Sequence, residues 1–173
     1  MKNILVTGRP GVGKTTLIKK VIKDFELDAG GFYTQEARKG GIRQGFEIVT
    51  LSGKRGTLAS VNFNSPYRVG KYGVNLRDLE EVAGGAIEEA LEKNSFLVID
   101  EIGKMELFSE KFIFLLKKAL ESSVKLLGVI KLKDNQLTSE IKNRPDTVVY
   151  TLDRANFHLV EEKIKRDLGD QEK

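Results

Sequence analysis

Two short stretches of this chain carry the residue types that chemistry on phosphates needs. The first is Gly8-Arg9-Pro10-Gly11-Val12-Gly13-Lys14-Thr15, which matches G-x-x-x-x-G-K-[ST], the Walker A or P-loop pattern. Its glycines let backbone N–H groups turn inward around phosphate oxygens. A helix N-terminus behind them adds unpaired donors and the positive end of its dipole. In such a loop Lys14 reaches the β- and γ-phosphates and the Thr15 hydroxyl takes one position on Mg²⁺. The second stretch is Phe96-Leu97-Val98-Ile99-Asp100-Glu101, an apolar strand ending in two acids, the Walker B arrangement. Asp100 is expected to share Mg²⁺ with Thr15. Glu101, at the strand end, is expected to orient a water for in-line attack on the γ-phosphate and to accept its proton. A base in that position favours hydrolysis over transfer to a second substrate.

Other residues compete for supporting roles. Lys104 follows the two acids, Lys131 sits where the next strand ends, and Arg144 precedes Pro145. Each is a candidate for a γ-phosphate sensor or arginine finger, although a solvated surface charge is the more ordinary role. Arg9 occupies a variable position of the loop. Phe32, Tyr33 and Tyr67 could stack on a base, with core or loop packing as the ordinary reading. His158, the only histidine, reads as structural.

These residues need a scaffold of strands and helices. Ile4-Leu5-Val6 suits a buried parallel strand. From Thr16 to Phe25, Leu17, Ile18, Val21, Ile22 and Phe25 follow the spacing of a helix packed on a sheet. Strands are expected at Phe32–Thr34, Phe46–Leu51 and Gly56–Val61, with turns at Arg38–Gly41 and Ser52–Lys54. Asn62–Gly73 reads as a polar, mobile loop beside the nucleotide. A helix over Leu76–Leu91 starts at an Asn75 cap and is weakened at Gly84-Gly85. Phe96–Ile99, Leu126–Ile130 and Thr147–Tyr150 read as strands. Ser109–Glu121, Asn135–Asn143 and Arg154–Leu168 read as helices, and the last five residues are expected to fray. Strands alternating with helices predict one α/β domain over residues 1–173. It has a Rossmann-like, mostly parallel central sheet, helices on both faces and an antiparallel extension. The ligand then sits at the carboxyl ends of the strands.

Composition narrows the function classes. The 173 residues include no cysteine, which excludes disulfides, thiolate metal sites and a cysteine nucleophile. One histidine excludes a multi-histidine metal site. The net charge of +4 comes from scattered Lys and Arg, so nucleic acid ranks behind a phosphate ligand as a partner. No apolar run has the length of a membrane span and no basic-then-apolar leader opens the chain, so a cytoplasmic location is expected.

The string Asp100-Glu101-Ile102-Gly103-Lys104-Met105-Glu106-Leu107-Phe108-Ser109 closely resembles the corresponding block of the THEP-type nucleoside-triphosphatases, which are small P-loop proteins. The resemblance extends to GRPGVGKTT at Gly8–Thr16, GFYTQEARKGGIRQGFEI at Gly31–Ile48 and VGKYGVNL at Val69–Leu76. It implies a P-loop core that hydrolyses nucleoside triphosphates (ATP, GTP, CTP, UTP, TTP) to diphosphates with Mg²⁺ and little base selectivity. It also implies nucleotide contacts at Gly8, Arg9, Pro10, Gly11, Val12, Gly13, Lys14, Thr15 and Thr16, and again at Leu97, Val98, Ile99, Asp100, Ile102, Gly103 and Lys104, around a catalytic Glu101. By the same resemblance the P-loop strand is central, and the Leu126–Ile130 strand lies between it and the Walker B strand. Two segments depart from the family. Val129-Ile130-Lys131 stands where relatives carry Thr-Ile-Pro, and Thr151–Asn156 only loosely matches their Thr-Pro-Glu-Asn-Arg. Two other functions fit the same motifs: a nucleoside or nucleotide kinase with its acceptor pocket in Phe46–Gly73, and a nucleotide-controlled switch or RNA-associated module. No residue identifies a protein activator.

Overall fold

A computed structural model describes residues 1–169. Apart from Gly169, the tail expected to fray lies outside them. Nine strands form one sheet in the order β5-β6-β4-β3-β2-β7-β8-β1-β9. Five of these, β2 (Ala29–Lys39), β7 (Phe96–Ile102), β8 (Lys125–Ile130), β1 (Asn3–Thr7) and β9 (Thr147–Thr151), pair in parallel. As expected, β8 separates the P-loop strand β1 from the Walker B strand β7, but β1 is not central: it lies second from the edge of the sheet, with only β9 outside it.

Period-two alternation sends successive side chains of these strands to opposite faces. Leu5, Leu97, Ile99, Leu126 and Ile130 join one core, while Ile4, Val6, Val98, Leu127 and Val129 join the other. Two layers of helix cover them. The first core is closed by α3 (Gly84–Lys93) and α4 (Glu110–Glu121), through Ile87, Ala90, Phe112, Leu115 and Leu116. The second is closed by α1 (Lys14–Asp24) and α6 (Phe157–Gly169), through Leu17, Ile18, Val21, Val160 and Ile164. Runs apolar on both faces, such as Phe96–Ile99, fit strands buried from both sides.

The antiparallel extension is larger than a hairpin. β3 (Ile42–Thr50), β4 (Arg55–Ser60), β5 (Arg68–Val69) and β6 (Tyr72–Val74) continue the sheet from β2. Arg38 and Lys39, expected in a turn, pair with Arg43 and Ile42, and Gly40-Gly41 alone make the bend. Part of the expected loop Asn62–Gly73 is a small hairpin. Val69 pairs with Tyr72 across it, and Val74 pairs with Ala59 of β4. Burial explains its order, since Tyr72 and Val74 are almost wholly enclosed.

The helix expected over Leu76–Leu91 is also corrected. A short turn, α2 (Leu76–Asp78), passes into a π-helical stretch, Leu79–Ala83, before α3 begins at Gly84. The irregularity therefore precedes the glycine pair. Gly84 faces Leu115 of α4, where a β-carbon would lie 3.5 Å from the leucine Cδ1, an ordinary contact, so close helix packing does not require glycine there. Asn75 caps the turn by accepting from the Asp78 N–H at 3.1 Å. The remaining short helix, α5 (Gln136–Lys142), packs near β9 and starts at a reciprocal Asn135–Thr138 capping box.

Two polar features hold helices in place, one in each layer. Ser109 is fully buried and caps α4 by accepting from the Phe112 N–H at 3.0 Å, while its hydroxyl donates to Glu80 at 2.7 Å. Losing both contacts in Ser109→Ala should destabilise the fold by about 1–2 kcal/mol, read as a lower urea midpoint. On the other layer, Lys20 and Lys165 join Asp24 of α1 to Glu161 of α6. The hydrogen bonds from Lys20 and Lys165 hold the Asp24 carboxyl down at about 2, below its usual 3.8. A depressed folded-state pKa adds stability above the ordinary value, and that stability is lost as pH falls through the folded one. Asp24→Asn should therefore lower the melting temperature at pH 7, by less as pH falls toward 2, and make no difference well below pH 2.

Candidate active site

The Gly8–Gly13 loop leaves the carboxyl end of β1 and enters α1 directly. Gly13 precedes the helix without any side-chain cap, and no acidic residue lies in the first turn. The first N–H groups of α1 are thus free to receive an anion, with the helix dipole behind them. Gly8 has φ 152°, and a β-carbon there would lie 2.4 Å from the Leu152 carbonyl oxygen. Only glycine lets the loop approach the end of β9 so closely. Lys14 folds back over the loop, its Nζ donating to the carbonyls of Gly8 at 2.8 Å and Arg9 at 2.9 Å.

β7 delivers the acids to the same end of the sheet. Thr15 Oγ1 donates to Asp100 Oδ2 at 2.6 Å, joining the start of α1 to the Walker B strand. Burial pushes the Asp100 carboxyl up to about 6, against the pull of the Thr15 hydrogen bond, and the neighbouring Glu101 charge adds to the rise. Glu101 is half-buried; burial raises its pKa too, while Lys14 and Lys131 draw it down. Thr15 and Asp100 are hard oxygen donors, and Mg²⁺ takes such ligands in ones or twos and fills the rest from phosphate and water. Among the described residues no group of three or more His, Cys, Asp or Glu could hold a metal. The donor set therefore fits Mg²⁺ bound together with a nucleotide.

Two cavities meet here. The smaller, about 350 Å³, runs over the loop and the start of α1 and is walled by Lys14, Thr15, Thr16, Thr34, Asp100 and Glu101, with Pro10, Gly11 and Gly13 beneath. The larger, about 490 Å³, shares Pro10, Lys14, Thr34 and Glu101, adds Gly8, and continues toward the antiparallel extension. Lys104 and Lys131 both line the larger one.

Several expected residues lie elsewhere. Leu97, Val98, Ile99 and Ile102 are at most 1 % exposed and face the two cores. Their side chains hold β7 in place rather than lining a cavity. Val12 packs on the second core, and Arg9 is exposed, with its carbonyl accepting from Lys14. Arg144 is removed from the site altogether. It precedes β9 and binds Asp146, Glu121 and the Leu120 carbonyl, beside the amino end of β1 and thus opposite the P-loop. Phe32 is fully buried against Phe112 in the core. Tyr33 lies under Lys19, and Tyr67 leans on Phe108. His158 is solvent-exposed, with Glu161 3.7 Å away.

Several cavity residues were missed in the sequence, Thr34, Glu106 and Arg43 among them. Thr34 belongs to both cavities, and its signal is position: it follows Phe32 by two, on the same face of β2. Glu106 is 4 % exposed, lodged behind Glu101 in the larger cavity. Burial, and then the Glu101 charge, pushes its carboxyl well above the usual range. Its signal was an acid between apolar Met105 and Leu107. Gly103 separates the two glutamates; a β-carbon there would lie 2.6 Å from Glu101 Oε1 and 3.0 Å from Glu106 Oε2. Arg43, on β3, left no signal beyond its charge.

With this geometry in place, the comparison with known proteins is decisive. The profile of a family described as NTPase matches residues 3–165. This chain belongs to that family. It is 50% identical over 153 residues to the nucleoside-triphosphatase THEP1 of Thermotoga sp. (strain RQ2), covering 88% of this chain and 87% of that one. A human protein named cancer-related nucleoside-triphosphatase is 42% identical over 171 residues, with 90% of each covered. The crystal structure of THEP1 from Aquifex aeolicus superposes with a TM-score of 0.83 at 39% identity, over 94% of this chain and 96% of that one. The NTPase family member described here thus shares its whole α/β, P-loop NTPase-like architecture with a solved relative. No helix among the described residues is long and apolar enough to cross a membrane.

The close approach at Gly8 gives a direct check on the loop. Gly8→Ala must displace a backbone carbonyl and adopt a φ unfavourable to alanine. It should cost about 1–3 kcal/mol in chemical denaturation and weaken nucleotide binding in calorimetry at least tenfold.

Proposed function

We propose that this NTPase hydrolyses nucleoside 5′-triphosphates to the diphosphate and inorganic phosphate, with Mg²⁺ and little preference among ATP, GTP, CTP, UTP and TTP. The observation that carries the reading is the 2.6 Å Thr15–Asp100 contact, which sets the P-loop helix against the Walker B acids with Glu101 beside the same cavity. The names of the relatives at 42–50% identity support it. The free N–H groups of the loop and of α1 bind the phosphate chain. Lys14, exchanging its two carbonyl acceptors for phosphate oxygens, neutralises charge at the β,γ end. Thr15 and Asp100 hold Mg²⁺, which when bound neutralises further charge on the phosphate oxygens. Glu101 orients the attacking water and takes its proton, while Lys14 and Lys131 keep that carboxylate able to do so.

Loose base selectivity is part of the same proposal, and the loop after β9, which approaches the P-loop at Leu152 and Gly8, supports it. Asp153 Oδ1 accepts from the Ala155 and Asn156 N–H groups, Asn156 Oδ1 accepts from the Asp153 N–H, and Asn156 Nδ2 donates to the Thr151 carbonyl. These side-chain groups are engaged within the loop itself, leaving few for a base. Discrimination among bases needs buried hydrogen-bonding groups that a wrong base would strand.

The test is phosphate release from ATP, GTP, CTP and UTP with Mg²⁺, wild type against Glu101→Gln. Comparable release from all four is expected, and the variant should lose at least a hundredfold in kcat with nucleotide affinity kept within a few-fold. Turnover preserved in the variant would remove Glu101 from the chemistry.

A further inference from the structure

Hydrolysis needs room for one water, about 30 Å³, at the γ-phosphate. The larger cavity offers about 490 Å³, in the range of small-molecule sites, roughly 300–1,000 Å³. The phosphate chain itself has the smaller cavity. Its order there follows from the loop, with Lys14 at the β,γ end. The nucleoside then leaves on the Thr16 side, and the larger cavity, which touches this site around Lys14 and Glu101, opens beyond the γ-phosphate.

The walls of that space are built for an organic ligand. The antiparallel extension contributes Phe46, Leu58 and Val69, and Met105 adds a fourth apolar surface. Arg43 is held ready at the rim. Its Nε donates to the Tyr72 hydroxyl at 2.9 Å, one Nη donates to Glu36 at 3.1 Å, and the guanidinium lies 5.2 Å from the centre of the Phe46 ring. These bonds use two of its five N–H donors, leaving three for an anion. Glu106 stands buried at the inner wall behind Glu101, with no cation bonded to its side chain among the described residues.

We propose that the larger cavity binds a phosphoryl acceptor, a small hydroxylated organic anion with an apolar body, so that the protein transfers the γ-phosphoryl group to it as well as to water. The inference rests on the triphosphate lying along the P-loop with Glu101 as base. Arg43 takes the anionic group, Phe46, Leu58, Val69 and Met105 take the carbon skeleton, and the hydroxyl points at Glu101, with Glu106 as its second hydrogen-bond partner. The hydroxyl oxygen attacks the γ-phosphorus. The new O–P bond forms as the bond from that phosphorus to the β,γ-bridging oxygen breaks, and the nucleoside diphosphate leaves with that electron pair. The hydroxyl proton passes to the Glu101 carboxylate. With the cavity filled only by water, the same arrangement gives hydrolysis.

The experiment uses the full chain with Mg²⁺ and γ-³²P-ATP, offering glycerol 3-phosphate, shikimate, pantothenate and mevalonate in turn and separating inorganic phosphate from phosphomonoesters. Transfer of label to at least one acceptor is expected, with Arg43→Gln raising its half-saturating concentration at least tenfold. Arg43 is partly exposed, so this variant should fold, and ATP affinity is measured for it without acceptor. Label found only in inorganic phosphate with every acceptor overturns the proposal and leaves hydrolysis standing. Absence of both products overturns both readings. If Arg43→Gln instead weakens ATP binding itself, the larger cavity holds the nucleoside and the proposal fails.

Discussion

The contact between Thr15 and Asp100 is the constraint on which this molecule turns. Strands β1 and β7 are not neighbours, because β8 lies between them. Their carboxyl ends can meet only through the loop that crosses above β8 and the first turn of α1. The hydroxyl-to-carboxylate bond closes that bridge at 2.6 Å. Everything that positions it lies deeper. Leu97 and Ile99 fix β7 in one core, Val98 fixes it in the other, and Leu17 and Ile18 fix α1. A buried carboxylate is tolerated here because a neutral hydroxyl satisfies it while leaving its negative charge available to a cation.

The electrostatics of the site are built on opposition. Asp100, Glu101 and Glu106 crowd one end of the sheet, and burial lifts all three. Lys14 and Lys131 act in the other direction on Glu101, and the free end of α1 adds a partial positive charge. A polyphosphate brings more negative charge, which lysine, loop amides and helix end must meet together. Gly103 has a quieter part in this balance. Its missing side chain leaves room for the Glu101 and Glu106 carboxylates near one another, where a methyl group would force one aside.

Much of this was legible in the sequence because the informative patterns are local. A glycine-rich loop between an apolar strand and an amphipathic helix needs only a dozen residues to be recognised, and so does an apolar strand ending in two acids. What escaped has identifiable physical reasons. Strands of two and three residues, β5 and β6, are too short to show a period of two. The π-helical stretch at Leu79–Ala83 widens the helix without changing which residue types face the core. Arg144 was one sensor candidate beside the more ordinary surface charge, and its place before a parallel strand puts it at the end of the sheet away from the P-loop. Leu97, Val98, Ile99 and Ile102 came with a motif whose Asp100 and Glu101 reach the cavity while these side chains serve the core. Arg43 and Glu106 reach the cavity through strand pairing and a turn that no short window of sequence displays.

The division of labour between the two halves of the sheet has a consequence for the cavity wall. The parallel strands and α1 supply the phosphate loop, both acids and Lys131, whereas β3 to β6 form one uninterrupted run of chain inserted between β2 and α2. That run packs Ile48, Leu58 and Val74 into the core shared with Leu5, Leu97 and Ile99, so it is constrained there, while Glu36 of β2 and Arg43 of β3 reach the cavity from partly exposed positions. A change at those partly exposed positions alters the wall of the larger cavity without removing a buried contact from the strands that carry the P-loop and the two acids.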